Sequence, residues 1–414
     1  MRVLLVAPNA SARMGGEAVL PLHYLRELTA AGVEAELLTH ARCREELTEG
    51  SYRDYPLHFV EDSSLEHRVW RATKDLPTAF SQAGDLLTGT ITGYRLRSAA
   101  EALLATGRFD LAHQITPVSP RAPSFLGDAE VPLICGPMNG NMTYPPGFER
   151  SYGEGTGMVS RVIRTVSDTV NGAAKGKRQA SRLLVANPRT AAGLPHGTSA
   201  SRVTEIVENG VDLARWPAPD AEPGRDFVFV GRLVHWKAVD LLIDAFAQLE
   251  ETAHVRILGD GPKRAALEAQ VQKLGLSDRV HFDGFVSAEA VRTAISGARA
   301  LVLPSVYECG GAVVLEAMAC ARPVVATDWG GPADYVLQDE TGILVPPSSP
   351  TALAEGLGAG MRRLAEDDAL AARMGQAGRR RVEEKFSWKA KAAAVRGVYE
   401  DVLAEQGGSK ARAA

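Results

Sequence analysis

Long apolar runs are missing from this 414-residue chain. No stretch of 18 or more apolar residues occurs, so the sequence offers no helix that would cross a bilayer. An excess of one charge is missing too. The formal net charge is -4 and the isoelectric point about 6.2, which removes the basic field that a nucleic-acid partner requires. Cysteine is scarce: Cys43, Cys135, Cys309 and Cys320 form no Cys-x-x-Cys pair for zinc or thiol redox chemistry. Scattered thiols suit a reducing cytosol. Aromatics make up only 6% of residues, while Gly and Ala are plentiful, which suits an α/β chain better than a β-sandwich. The opening RVLLVAP is too short for the apolar core of a secretion signal and reads as a first buried strand. A cytoplasmic location is the expectation.

What is present is alternation of strands and helices. The pattern predicts strands over 2–7, 33–39, 110–114, 131–136, 183–187 and 203–207, with helices over 16–31 and about 86–105. A break follows at 217–226, PAPDAEPGRD, rich in Pro and acid and without apolar periodicity; it reads as a linker. A second alternation has strands at 227–231, 255–258, 280–282, 300–303 and 323–326. In 240–249, Leu241, Leu242, Ala245, Phe246 and Leu249 form one helical stripe. Two Rossmann-like, doubly wound α/β domains are expected, residues 1–214 and 215–385, with a cleft between them and ligands at the carboxyl ends of the strands. The charged C-terminal segment carries Phe386, Trp388, Val395, Val398, Tyr399 and Val402 as its apolar set, and GGSKARAA reads as a frayed tail.

The loops after strands are where chemistry is to be sought. PNASARMGGEAVL places Gly15 and Gly16 between the first strand and a helix, where a phosphate can approach the backbone. It is neither a G-x-G-x-x-G nor a P-loop, which counts against NAD or P-loop nucleotide chemistry. FVGRLVHWKAVDLL sets Arg232 and Lys237 in the loop between a strand ending at Gly231 and a helix. Two cations there suit a diphosphate, Arg as a bidentate fork and Lys as a point charge. LGDGP (258–262) and VHFDGFV (280–286) repeat the glycine-after-strand arrangement and would border a base or ribose. In YECGGAVVLEAMACARPVVATDWGGP, two glutamates bracket a glycine pair. Glu308 lies in a loop, and Gly310 and Gly311 lead into a helix that contains Glu316. A helix N-terminus favours phosphate, and the carboxylates can accept hydrogen bonds from sugar hydroxyls or a ribose diol. A retaining glycosidase pair would need carboxyls about 5–5.5 Å apart, whereas eight residues of helix rise about 12 Å. His113, at the end of the DLAHQ strand, would face the cleft or fill the core.

The ordered set MGGEA, DLAH, VENGVD, VGRLVHWKAVDLLIDAF, LGDGP, VHFDGFV, ECGGAVVLEAMACARPVVA and TGILVPP resembles the glycogen-synthase-like retaining glycosyltransferases of family four, from Arg2 to Tyr399. The resemblance implies a GT-B fold whose second domain holds a nucleoside-diphosphate sugar of UDP or GDP type, with the C-terminal helix (about 386–406) completing the first, acceptor-binding domain. It implies that Glu316 holds the ribose, Glu308 the transferred sugar, and Arg232 and Lys237 the diphosphate. Gly16 and the amides of Ala312 and Val313 would complete the cradle, and Gly284, Phe285 and Val286 would border the base. His113 would be catalytic, with no metal and no cofactor required. Three positions depart from the family pattern: His113-Gln114-Ile115 for H-x-H, Lys237-Ala238 for Lys-Gly, and Cys309-Gly310 for aromatic-Gly.

The implied reaction transfers a sugar, with retention, to a hydroxyl of a sugar, lipid-linked or small-molecule acceptor. Such reactions serve cell-envelope polysaccharide, glycolipid or natural-product glycoside synthesis. A sugar-nucleotide epimerase on the same fold, a non-catalytic nucleotide-sugar-binding protein and an NAD oxidoreductase are the competing readings. Loops 116–123 and 137–148 are the expected acceptor loops. The stretch 161–182 carries Arg161, Arg164, Lys175, Lys177, Arg178 and Arg182 against Asp168 alone; it would suit either a solvated helix face or peripheral contact with the inner face of an anionic membrane.

Overall fold

The computed structural model describes residues 1–73, 78–127, 130–153, 169–171, 174–219, 223–249 and 253–413. The chain forms two compact units. One comprises Met1–Asn141, Thr156–Glu208 and Lys391–Ala414; the other comprises Met142–Gly155 and Asn209–Ala390.

Among the described residues the first unit is built on seven strands: β1 (Arg2–Val6), β2 (Glu34–His40), β3 (Leu57–Val60), β4 (Leu111–Gln114), β5 (Leu133–Met138), β6 (Arg182–Val185) and β7 (Val203–Glu205). Their order in the sheet is β3-β2-β1-β4-β5-β6-β7, with every pair parallel. Parallel sheets carry helices on both faces, so their central strands are apolar without alternation. RVLLV shows this, with Val3, Leu4 and Leu5 fully buried. The strand order reverses between β1 and β4, and the crevice outside the carboxyl ends at such a switch point is where ligands of doubly wound sheets sit.

Among the described residues the second unit has six strands: β8 (Phe227–Val230), β9 (Val255–Leu258), β10 (Val280–Gly284), β11 (Ala300–Leu303), β12 (Val324–Thr327) and β13 (Gly342–Val345). They are ordered β10-β9-β8-β11-β12-β13, again all parallel, which puts the switch point between β8 and β11. The two strands absent from the sequence expectation, β3 and β13, are both edge strands. LHFV carries a histidine and GILV opens on a glycine, so neither reads as a strong apolar run.

Several expectations need correction. The helix expected over 16–31 opens as a 3-10 turn, Gly16–Val19, and becomes α-helical only at Leu20–Ala30. Gly15 and Gly16 both have positive φ (66° and 56°), which an α-helix cannot accommodate. The C-terminal helix runs Trp388–Ala413, through the stretch read as tail. The second unit includes residues 142–155, which the sequence reading keeps in the first domain. Three contacts hold that segment there. Trp329 Nε1 donates to the Thr143 carbonyl at 2.8 Å, Tyr144 stacks on Tyr307 with centroids 4.7 Å apart, and Tyr152 Oη donates to Asp240 Oδ2 at 2.7 Å.

Of the basic stretch 161–182, Arg161, Arg164 and Asp168 lie outside the described residues. Lys177 does not face a lipid surface. It is buried and donates to the carbonyls of Ser119, Pro120 and Ala122 at 3.1, 2.7 and 2.5 Å, tying that loop to the segment that carries the lysine. Arg182 pairs with Glu405 at 2.6 Å, which leaves Lys175 and Arg178 as the exposed cations among the described ones. No helix among the described residues is long and apolar enough to cross a membrane.

In the second unit two loops touch backbone to backbone. Gly259, with φ of 143°, donates its N–H to the Gly284 carbonyl at 2.8 Å, and a Cβ on it would lie 1.9 Å from the Gly231 carbonyl oxygen. Gly259→Ala should therefore force the β8 and β9 loops apart, costing about 1–3 kcal/mol. A melting temperature lower by on the order of 5 °C is the expected readout, and an unchanged one would contradict this packing.

Candidate functional site

At the switch point of the second sheet, the loops after β8 and β11 emerge side by side. After β8 come Gly231, the exposed Arg232 and a 3-10 turn, His235–Lys237; Ala238 follows with φ of 48° and leads into the helix Val239–Phe246. After β11 the chain runs through Glu308 and Gly311 into the helix Ala312–Ala319. The two loops are joined by a backbone bond, Val306 N–H to the Trp236 carbonyl at 2.9 Å, and by a salt bridge from Lys237 Nζ to Glu308 Oε2. Both side chains are only 15% exposed, so their charges are shielded from bulk water and attract more strongly than a surface pair.

Glycines shape the Glu308 loop. Gly311 caps the helix in the left-handed region, with φ 74° and ψ 54°, and its carbonyl accepts from Val314 N–H at 2.9 Å. The amides of Ala312 and Val313 precede any intrahelical acceptor and form the positive end of the helix dipole. Gly330 and Gly331, after β12, lie directly against this loop. A Cβ on Gly330 would sit 2.2 Å from the Glu308 carbonyl, and one on Gly331 would sit 2.0 Å from the Gly310 carbonyl. The sequence reading assigned this pair no role. A glycine pair in the loop after a strand fits a close backbone approach, but its partner, the Glu308 loop, shows only in the structure.

Beside the ion pair opens a cavity of about 430 Å³, lined by Gly231, Arg232, Gly259, Asp260, Phe285 and Val286 among others. Phe285 is 93% exposed, an apolar ring offered to solvent at the rim. The Lys237 stem lies close to the lining residue Gly231, its Cε 3.6 Å from where a Gly231 Cβ would stand. The structure thus brings Arg232, Phe285 and Val286 into one cavity, with Lys237, Glu308, Gly310, Gly311 and the first amides of the Ala312 helix next to it. Gly284, with φ of 72°, ends β10 just behind the Phe285 loop.

Glu316 lies one helical turn beyond Ala312 and does not line the cavity. Its carboxylate takes no hydrogen bond among the described residues. Burial raises its pKa to about 7, against the pull of the Arg215 charge.

In the first unit the expectation for His113 fails. It is fully buried on β4, with Nε2 2.6 Å from the Gly136 carbonyl and Nδ1 2.6 Å from Tyr399 Oη. A carbonyl only accepts, so Nε2 carries the proton and Nδ1 accepts from the tyrosine hydroxyl. Burial lowers its pKa to about 4, which keeps the ring neutral. His113 is therefore a core linker between β4, β5 and the C-terminal helix. Gly15 and Gly16 sit in an exposed loop with no atom within 4 Å of an added Cβ. The turn they open, Gly16–Val19, runs directly into the helix Leu20–Ala30.

One further cluster, His40, Asp62 and Glu66, has metal-ligand residue types. Its chemistry argues otherwise. His40 Nδ1 accepts from the Arg42 N–H at 3.2 Å, which leaves the proton on Nε2, 3.4 Å from Asp62. Glu66 already accepts from Ser63 and Thr92.

Residues 212–381 match the family model described as Glycosyl transferases group 1. Curated relatives include the glycogen synthase of Mycobacterium tuberculosis, 32% identical over 49% of this chain and 49% of the relative. Another is the alpha-D-kanosaminyltransferase of Streptomyces kanamyceticus, 35% identical over 42% of this chain and 45% of the relative. The chain thus spans about half the length of the curated relatives it matches. Similar solved structures include Anabaena HepE in complex with UDP (TM-score 0.67, 18% identity, 97% of this chain and 100% of that one). Sucrose-phosphate synthase from Thermosynechococcus elongatus is another (TM-score 0.64, 23% identity, 98% and 99%). At these identities the likeness establishes the fold, the GT-B pair of Rossmann-like domains. The matches bear out the resemblance to glycogen-synthase-like glycosyltransferases drawn from the motifs.

Two outcomes are expected. Tyr399→Phe leaves His113 Nδ1 without a donor and should cost about 1–3 kcal/mol of stability, with turnover falling no further than the folded fraction. A larger loss would return His113 to the site. For Glu316, the folded carboxyl holds its proton up to about pH 7 while an unfolded glutamate releases it near 4.5. The folded state binds the extra proton in that window, so this group's contribution to stability falls as pH rises from 4.5 through 7. Glu316→Gln should flatten that slope in pH-resolved denaturant titrations.

Proposed function

We propose that a chain whose residues 212–381 match the Glycosyl transferases group 1 model is a retaining glycosyltransferase that uses a nucleoside-diphosphate sugar. The observation that carries the proposal is the Lys237–Glu308 pair at the β8/β11 switch point, between a cavity holding Arg232 and the free amides of the Ala312 helix. Negative charge of a pyrophosphate would find a fork, a point charge and a dipole end converging on one place. The apolar cavity beyond Arg232, with Phe285 at its rim, is of a kind that takes a flat base. The neighbour HepE was solved with UDP and with UDP-glucose, which favours a uridine donor over a guanosine one.

In the proposed reaction the bond from the sugar anomeric carbon to the diphosphate oxygen breaks as the acceptor oxygen bonds on the same face. The acceptor proton passes to the departing phosphate oxygen. Most of the barrier lies in charge on the leaving group, and fixed donors that need no reorganisation lower it most. Lys237 moves its contact from Glu308 to the phosphate when the donor enters. The released carboxylate then accepts hydrogen bonds from the hydroxyls of the transferred sugar. Glu316 accepts from the ribose diol. Arg232, Lys237 and the helix amides supply the positive charge that a divalent metal supplies in other transferases, and no resident cofactor enters the scheme. The acceptor is a hydroxyl compound bound by the first unit.

Lys237→Ala is expected to lower turnover by about 10²–10³-fold while circular dichroism and melting show a folded protein. Glu308→Gln should lose a similar factor. The assay is nucleoside-diphosphate release from UDP- and GDP-sugars, with and without acceptors, followed by anomeric analysis of the product. Turnover within a few-fold of the parent in both variants, or an inverted product, would sink the proposal.

A further inference from the structure

The first sheet has a switch point of its own, between β1 and β4, and a second cavity of about 250 Å³ opens there. The strand ends supply Val6 and Gln114, the loops supply Phe125 and Leu126, and the helix Thr78–Leu104 supplies Gly89 and Gly93. The two glycines differ in what they face. A Cβ on Gly93 would meet the Phe125 ring at 2.5 Å, so that glycine seats the phenylalanine. Gly89, one turn earlier, has nothing within 4 Å of an added Cβ, so it opens onto vacant space.

The surroundings are apolar well beyond the cavity itself. Tyr94 stacks on Phe125 with centroids 4.4 Å apart, yet is 55% exposed. Leu87, 51% exposed, stands with Tyr94 on either side of the cavity-lining Thr90 along one helical face. Large exposed apolar side chains gathered round an apolar hollow mark a binding surface more often than a solvated one. Polar readers are few. Gln114 is occupied at both ends, donating to the Thr116 carbonyl at 3.1 Å and accepting from Ser124 Oγ at 2.5 Å. Glu17 is exposed; one carboxylate oxygen accepts from Val118 N–H at 2.9 Å, and the other takes no hydrogen bond among the described residues.

We propose that this cavity holds the apolar ring or chain of the acceptor, with the acceptor's hydroxyl or amine edge turned to Glu17. The inference rests on the transfer reaction proposed above and adds the class of acceptor: an apolar aglycone rather than a bare, fully polar sugar.

The test uses the full chain, the apolar fluorophore N-phenyl-1-naphthylamine and the substitution Gly89→Phe, whose new side chain enters the open space. The parent should bind the dye with a fluorescence rise that saturating UDP does not abolish. Gly89→Phe should weaken binding at least tenfold, and Gly89→Ala should leave it within twofold. If Gly89→Phe melts early, Gly89→Leu serves in its place. Dye affinity unchanged by both bulky substitutions, or absent from the parent, overturns the inference. Donor hydrolysis is measured on the same samples, so that the two readings fail separately. Hydrolysis without cavity binding removes the apolar acceptor alone. Gly89-sensitive binding without hydrolysis by the parent leaves an apolar site and removes the transfer reaction, and the acceptor role with it.

Discussion

The ion pair between Lys237 and Glu308 is the constraint around which the second unit's loops are arranged. Each charge is mostly withdrawn from water, and each is tolerable there only because the other is present. The pair also fixes geometry. It ties the segment after β8 to the segment after β11, and those strands are neighbours only because the sheet reverses its order between them. Glycines do the rest, since Gly330 and Gly331 let one backbone lie flat under the Glu308 loop where a single methyl group would collide. The charges are thus held in place before any ligand arrives.

The same region stores some strain. Ala238 holds a left-handed φ of 48° in a buried position between the 3-10 turn and the following helix. Such a conformation costs a non-glycine residue roughly 1–2 kcal/mol and persists where the surrounding structure enforces it. Here it directs the chain so that Lys237 points back at Glu308 rather than out along the helix. Glu316 adds a second tension. It lies in the first turns of a helix whose dipole favours its charged form, yet burial dominates and holds the proton to near neutrality.

Much of this was legible in the residues because local chemistry set it. Strand runs such as RVLLV and ALVL, and glycines placed directly after strands, specify doubly wound sheets and the loops that matter; Arg232, Lys237, Glu308 and Phe285 follow from their positions after strands. What was not legible depends on packing between segments distant in sequence. His113 reads either as a strand-end histidine facing the cleft or as a core residue, and only a tyrosine 286 positions later shows it to be core. Lys177 reads as one cation among several, until three loop carbonyls claim its protons. β3 and β13 are edge strands, too short and too mixed to announce themselves, and the Gly330–Gly331 approach is visible only once Glu308 has a carbonyl in space.

The chain passes between the two units at residues 141/142, 155/156, 208/209 and 390/391. A ribosome delivers the amino-terminal portion first, but the tyrosine that satisfies His113 belongs to the last helix. The unit begun earliest is therefore finished last, after the whole of the other has been synthesised. Truncation near the carboxyl terminus would damage the opposite end of the polypeptide, and no single cut would release either half intact.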